Sequence, residues 1–287
     1  MENPKNTKVI KSIPELRSYL LQERLKGKSV GLVPTMGALH DGHAALIRKA
    51  KKKTDVVVLS IFLNPIQFSD PVDLKCYPKT LKRDLKLAES YRVDVVFMPA
   101  PREIYPKGFS TYVIQESLTQ NLCGRGRPGH FRGVTTIVAK LFNIVQPDMA
   151  FFGHKDAQQL RVVRRMVEEL NWDIQIEGVG IVREPTGLAM SSRNKLLSKE
   201  DLEGALSLNE ALFMSKVMIL AGERASVKII KKMKKIISSY KGAKIEYIEI
   251  VDDENLKPLK KIKGKILIAV AVWFKKVRLI DNLLLEV

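Results

Sequence analysis

"PTMGALHDGH", residues 34–43, sits between the apolar run "SVGLVP" at 29–34 and "HAALIRKAKKK" at 43–53. The first flank is short, apolar and β-branched, as a strand buried on both faces requires. The second places apolar residues at 44–47 and 50 and leaves a basic outer face, which predicts a surface helix. The stretch is therefore a strand-to-helix loop, with the helix opening at Asp41-Gly42-His43. Glycines at 37 and 42 let a ligand approach the backbone closely. Amide N–H groups at a helix start, with the positive end of its dipole, attract anions. Imidazoles at His40 and His43 can donate to phosphate oxygens as charge builds during displacement at phosphorus. No GxxxxGK[ST] occurs, so this is not a Walker loop. Zinc is the competing reading, but His-x-x-His alone is weak support for it.

The same alternation continues along the chain. Residues 54–63 "TDVVVLSIFL", 93–98 "VDVVFM" and 148–152 "DMAFF" read as buried strands, and 80–91, 133–146 and 156–170 read as helices. Strand–helix–strand order predicts an α/β fold, a Rossmann-like doubly wound parallel sheet whose ligand loops lie at the carboxyl ends of the strands. From residue 181 the texture changes. Ser198 and Asp201 form a capping-box start, a Lys-rich helix follows at 226–240, and strands follow at 244–251, 265–273 and 277–287. The expectation is a nucleotide- and substrate-binding domain over 1–180 and a smaller α+β domain over 181–287.

The bulk composition excludes several classes. The longest apolar runs, such as 266–274, fall far short of the roughly 20 residues needed to span a bilayer. The N-terminal segment has no apolar core of signal-peptide type. The two cysteines, Cys76 and Cys123, form no metal-type pair or disulfide framework, which predicts a reducing, cytoplasmic home. The 49 Lys and Arg against 31 Asp and Glu give a net charge of +18. That suggests nucleic acid, yet the excess is spread over the whole chain and aromatics are only 7%, leaving few stacking platforms for single strands. The expectation is no nucleic acid and no membrane.

All four histidines lie in glycine-containing loops, at 40, 43, 130 and 154. "HDGH" at 40–43 resembles the HxGH signature of the nucleotidyltransferase superfamily. Four further stretches narrow the resemblance: "IFLNPIQF" (61–68), "RPGHFRGV" (127–134), "FFGHKDAQQL" (151–160) and "IVREPTGLAMSSRN" (181–194). Together, in this order, they are similar to the pantothenate synthetase (pantoate–β-alanine ligase) family.

The resemblance implies condensation of pantoate with β-alanine through a pantoyl-adenylate, with ATP as substrate and Mg²⁺ neutralising its phosphates. It implies that Met36, Gly37, Ala38, Leu39, His40, Asp41, Gly42 and His43 line the ATP site, with His43 catalytic. Gly153, His154, Lys155 and Asp156 would repeat that anion-site geometry, with Lys155 on the triphosphate. Val182 would meet adenine through its backbone, and Met190, Ser191, Ser192 and Arg193 would grip the β- and γ-phosphates. Gln67 and Gln159 would hold pantoate, supported by Asn64, since neutral amides leave the carboxylate nucleophilic. Arg127, His130 and Arg132 would border the site, and Asp84 is a candidate magnesium contact. A homodimer through the first domain and a C-terminal lid are also implied. Three positions depart from the family pattern: His154 where Glu is common, Ala157 where an aromatic is usual, and Arg83 where an acid is typical. Another HxGH enzyme, one that adenylates a phosphorylated substrate, would favour cations in place of the paired glutamines.

Overall fold

The computed structural model of the protein describes residues 7–287. In chain order its first half runs β1 (Lys8–Ile10), α1 (Ile13–Leu25), β2 (Val30–Thr35), α2 (Asp41–Lys53), β3 (Val56–Ile61), α3 (Pro71–Cys76), α4 (Leu81–Ser90), β4 (Val95–Phe97) and α5 (Pro101–Ile104). Next come α6 (Leu122–Gly126), α7 (His130–Val145), β5 (Met149–Gly153), α8 (Ala157–Glu169) and β6 (Gln175–Val179). The chain ends with α9 (Lys199–Leu220), α10 (Ser226–Ser238), β7 (Ala243–Asp252), β8 (Lys265–Phe274) and β9 (Val277–Glu286).

Contacts divide the chain into two compact units. Of the described residues, the larger holds 7–115, Pro128–His154 and Val162–Gly180; the smaller holds Glu116–Arg127, Lys155–Arg161 and Ile181–Val287. A single boundary near 180 does not describe this interleaving, because two short segments from the first 180 residues join the smaller unit. Polar ties hold them there. Arg161 Nε donates to the Asp253 carboxylate at 2.8 Å, Asn282 Nδ2 donates to the Lys155 carbonyl at 2.9 Å, and Cys123 Sγ lies 3.2 Å from the Tyr247 hydroxyl.

In the larger unit the strands form one parallel sheet in the order β1-β4-β3-β2-β5-β6. The first four residues of β2 and the first five of β3 are all buried, as both faces of a helix-covered parallel sheet require. One face packs Val33, Val57, Leu59, Val96 and Phe151 against Leu46, Ile47 and Ala50 of α2 and Ala88 of α4. Order reverses at β2: the chain first adds β3 and β4 on one side, and β5 later pairs on the other. In open α/β sheets a ligand crevice forms at such a switch point, beyond the strands' carboxyl ends.

The smaller unit is an antiparallel β7-β8-β9 meander. Leu208, Leu212 and Ile219 of α9 and Ile229, Met233 and Ile237 of α10 pack on Ile248, Ile266, Ile268, Val270 and Phe274. Ser198 caps α9, its hydroxyl accepting from Asp201 N at 3.2 Å. Among the described residues no helix is long and apolar enough to cross a membrane.

Phe151 is fully buried in β5, beside the switch point. Phe151→Ala is expected to lower unfolding free energy by about 3–5 kcal/mol, read as a shifted urea midpoint. A change under about 1 kcal/mol would show that the core collapses around the void.

Candidate active site

The loop after β2 turns through two left-handed residues, Gly37 (φ 82°) and Ala38 (φ 51°). Two consecutive amides consequently point inward at one carboxylate. Asp84 accepts from Ala38 N and Leu39 N, each at 2.9 Å, and from Thr80 Oγ1 at 3.0 Å. It is 2% exposed on α4. A Cβ on Gly37 would come within 3.2 Å of the same carboxylate, so glycine serves both the turn and the close approach. Asp84, also the candidate magnesium contact, thus shapes the loop, because a buried carboxylate is stable only when donors surround it.

The loop ends in a cap built from two imidazoles. His40 is the N-cap of α2, and its Nδ1 accepts from Gly42 N at 3.2 Å. His43, three residues on, accepts at Nδ1 from His40 N at 3.3 Å. This is a reciprocal capping box with histidine in both positions. The ring centroids are 4.1 Å apart and tilted by 49°. A ring nitrogen that accepts carries no proton, so this network assigns each neutral ring the tautomer with hydrogen on Nε2. Both rings therefore present a donor on the edge away from the backbone. A Cβ on Gly42 would come within 2.8 Å of His40 Cε1, so the cap requires glycine between the histidines.

Asn64 precedes and Gln67 ends a 3-10 turn, Pro65–Gln67, in the loop after β3. Both are buried. Asn64 Nδ2 donates to Gln67 Oε1 at 2.8 Å and to the Gly133 carbonyl at 3.0 Å. Gln67 Nε2 points to Met36 Sδ at 3.2 Å, a weak acceptor, so the Gln67 amide meets the β2 loop. His130 opens α7, and its Nδ1 donates to the Gln67 carbonyl at 2.8 Å. Gly133 lies against the same turn, where a Cβ would come within 2.6 Å of Gln67 Cα. His130 thus supports the glutamine, while Arg132 lies 4.5 Å over the Tyr112 ring.

Gly153 ends β5 and His154 begins a 3-10 turn, His154–Asp156. The His154 ring lies against Gly178 of β6, where a Cβ would come within 2.5 Å of Nε2. The larger unit thus gathers Met36–His43, Asn64, Gln67, Gly153 and His154 on loops leaving adjacent strands β3, β2 and β5.

Lys155, Asp156 and Gln159 belong to the smaller unit. The adjacent glutamines of α8 have separate duties. Gln158 is buried and consumed, accepting from Cys123 N at 2.9 Å and donating to the Leu118 and Asn121 carbonyls, both at 2.8 Å. Gln159 is half-buried, which leaves it as the ligand candidate of the pair. Val182 and Met190 pair in a short hairpin, Met190 N donating to the Val182 carbonyl at 2.9 Å. Asn194 Nδ2 clamps the loop, donating to Glu184 Oε1 at 2.7 Å and the Ala189 carbonyl at 3.1 Å. Ser191 Oγ accepts from Arg193 N at 3.2 Å and caps the turn Ser192–Leu196. The two hydroxyls and the guanidinium of Ser191, Ser192 and Arg193 therefore stand on a braced turn.

Comparison with known proteins gives a consistent answer. Residues 8–284 match the family model described as pantoate-beta-alanine ligase. The chain is 51% identical to the pantothenate synthetase of Thermotoga petrophila, over 97% of this chain and 99% of that protein. It is equally 51% identical to the pantothenate synthetase of Moorella thermoacetica, over 97% and 99%. The crystal structure of pantothenate synthetase from Thermus thermophilus superposes with a TM-score of 0.91 at 41% identity, covering 96% of this chain and 99% of that one. A pantoate-beta-alanine ligase from Francisella tularensis, complexed with beta-gamma ATP and beta-alanine, gives a TM-score of 0.79 at 35% identity, with 97% of each chain covered.

Gly42→Ala is expected to expel His40 from its cap and destabilise the protein by about 1 kcal/mol, as loss of an N-cap does. In the unaltered protein, ¹⁵N spectra of labelled histidine should show His40 and His43 protonated at Nε2. An Nδ1-protonated ring at either position would contradict the reciprocal cap.

Proposed function

The chain belongs to the pantoate–β-alanine ligase family, and from that premise we propose how its residues divide the work of the reaction. Pantoate and β-alanine are condensed to pantothenate at the expense of ATP. In the first step a pantoate carboxylate oxygen attacks the α-phosphorus and pyrophosphate leaves. In the second, the β-alanine amine attacks the acyl carbon of the pantoyl-adenylate. An amide forms, AMP leaves, and the amine loses a proton.

The observation that carries the assignment is the reciprocal cap, which turns the Nε2–H groups of His40 and His43 away from the backbone at a helix N-terminus. Donors aimed at phosphoryl oxygens stabilise charge as it develops, and their fixed placement avoids reorganisation during the step. His43 and His40 are both assigned this role, with Lys155 as the cation on the triphosphate. Met36, Gly37, Ala38, Leu39, Asp41, Gly42, Gly153 and His154 shape the nucleotide site around them. Val182 is assigned to adenine, Asp156 to the ribose, and Met190, Ser191, Ser192 and Arg193 to the β- and γ-phosphates.

Gln67 and Gln159, with Asn64, are assigned to pantoate. Neutral amides can orient a carboxylate without the charge neutralisation a guanidinium would impose on the nucleophile. The same neutrality speaks against a phosphorylated substrate. Magnesium is read as arriving on ATP oxygens with its own waters. Among the described residues no group of three or more His, Cys, Asp or Glu could form a cage for it. We further read the protein as a cytoplasmic homodimer associating through the larger unit, with the smaller unit acting as a lid.

Pantoate-dependent exchange of labelled pyrophosphate into ATP, with β-alanine left out, should be present. Adding β-alanine should yield AMP and pantothenate in equal amounts. His43→Ala is expected to slow exchange by roughly 100- to 1,000-fold with an unchanged circular-dichroism spectrum. A rate within a few-fold of wild type would remove His43 from the catalytic set.

A further inference from the structure

We propose that Tyr105 is a positioning residue: through Asn64 it fixes Gln67 so that Gln67 offers pantoate an N–H and never a carbonyl oxygen. The inference rests on the assignment of pantoate to Gln67 made above. Tyr105 follows α5 and is distant in sequence from every stretch that carried the family resemblance. Its hydroxyl donates to Asn64 Oδ1 at 2.7 Å. Asn64 in turn commits both hydrogens of Nδ2, one to the Gly133 carbonyl and one to Gln67 Oε1. A carbonyl can only accept, so Gly133 fixes which end of the Asn64 amide faces inward. Asn64 is only 1% exposed, and the Tyr105 hydroxyl satisfies the amide oxygen that would otherwise be a buried acceptor without a donor. The consequence falls on Gln67. Its oxygen is held by Asn64 and its nitrogen faces Met36, whose thioether is a poor competitor for an N–H. The substrate therefore meets a donor, which fits a carboxylate or hydroxyl oxygen.

The Tyr105 ring has little freedom to leave this position. It packs between Phe62 at 6.0 Å and Phe109 at 4.9 Å, and Phe109 meets Tyr112 at 5.4 Å. The Lys140 ammonium lies 4.9 Å from the Phe109 centroid and 6.0 Å from that of Tyr105. Burial pushes the Tyr105 hydroxyl well above its ordinary pKa, which keeps it protonated as a donor.

The test is a double-mutant cycle on the full-length enzyme, read by pantoate-dependent pyrophosphate exchange. Tyr105→Phe removes only the hydroxyl and is expected to raise the pantoate KM about tenfold while the ATP KM stays within twofold. In a Gln67→Ala background the same change should add less than twofold, because its route to the substrate is gone. Gln67→Glu is the second variant. With one oxygen held by Asn64 and the other turned to the carboxylate, its pantoate KM should exceed that of Gln67→Ala. A pantoate KM within twofold of wild type in Tyr105→Phe would overturn the proposal, as would independent, multiplying effects in the double variant. A Gln67→Ala enzyme with an unchanged pantoate KM would overturn it differently, by showing that Gln67 does not hold pantoate.

Discussion

The geometry of the loop after β2 hangs on one buried carboxylate. Asp84, sealed on α4, gathers the amides of Ala38 and Leu39 and the Thr80 hydroxyl. An uncompensated charge at that depth would be costly, so the loop is forced to fold toward it. Once Gly37 and Ala38 have turned left-handed to deliver those amides, the chain reaches His40 in the extended conformation an N-cap needs (φ −145°, ψ 178°). The two imidazoles are placed as a result. A helix dipole alone would leave their ring orientation open; the buried carboxylate and the reciprocal cap close it.

Much of this was legible in the order of residues alone. The strands β2, β3 and β5 announced themselves as unbroken apolar runs, because a strand covered on both faces has no polar side to confuse the pattern. The edge strands did not. β6 carries Glu177 and Gly178 in "QIEGV" and is only partly buried, so no run of apolar residues marks it. β1 is three residues long with one buried, and α1 dilutes its buried Leu16 and Leu20 among charges. The interleaving of the two units was also hidden. It depends on pairings such as Arg161 with Asp253 and Gln158 with Cys123 N, between residues far apart in sequence and of types that usually face solvent.

The candidate residues divide in the same way. His40 and His43 were readable from spacing, since i and i+3 is the capping interval as well as the HxGH interval. Asp84, Gly133, His130 and Tyr105 were not assigned their supporting duties, because nothing local to each names its partner. Gly133 stood in the "RPGHFRGV" stretch at the start of an expected helix, but nothing there says that it lies against the Gln67 turn. Gln158 and Gln159 are chemically identical neighbours, and only burial separates the structural one from the candidate ligand.

The reciprocal cap has a further consequence for how the site behaves toward protons. In both rings the nitrogen that would take up a second hydrogen is the one already holding the start of α2. Charging either ring to a cation would strengthen its pull on phosphate oxygens, but the same event would turn a helix acceptor into a donor facing an N–H. Electrostatic strength and local folding are therefore set against each other in a single atom. The cap thus joins two tasks in one atom of each ring: the nitrogen that anchors the start of α2 is also the one that sets which edge the ring turns outward.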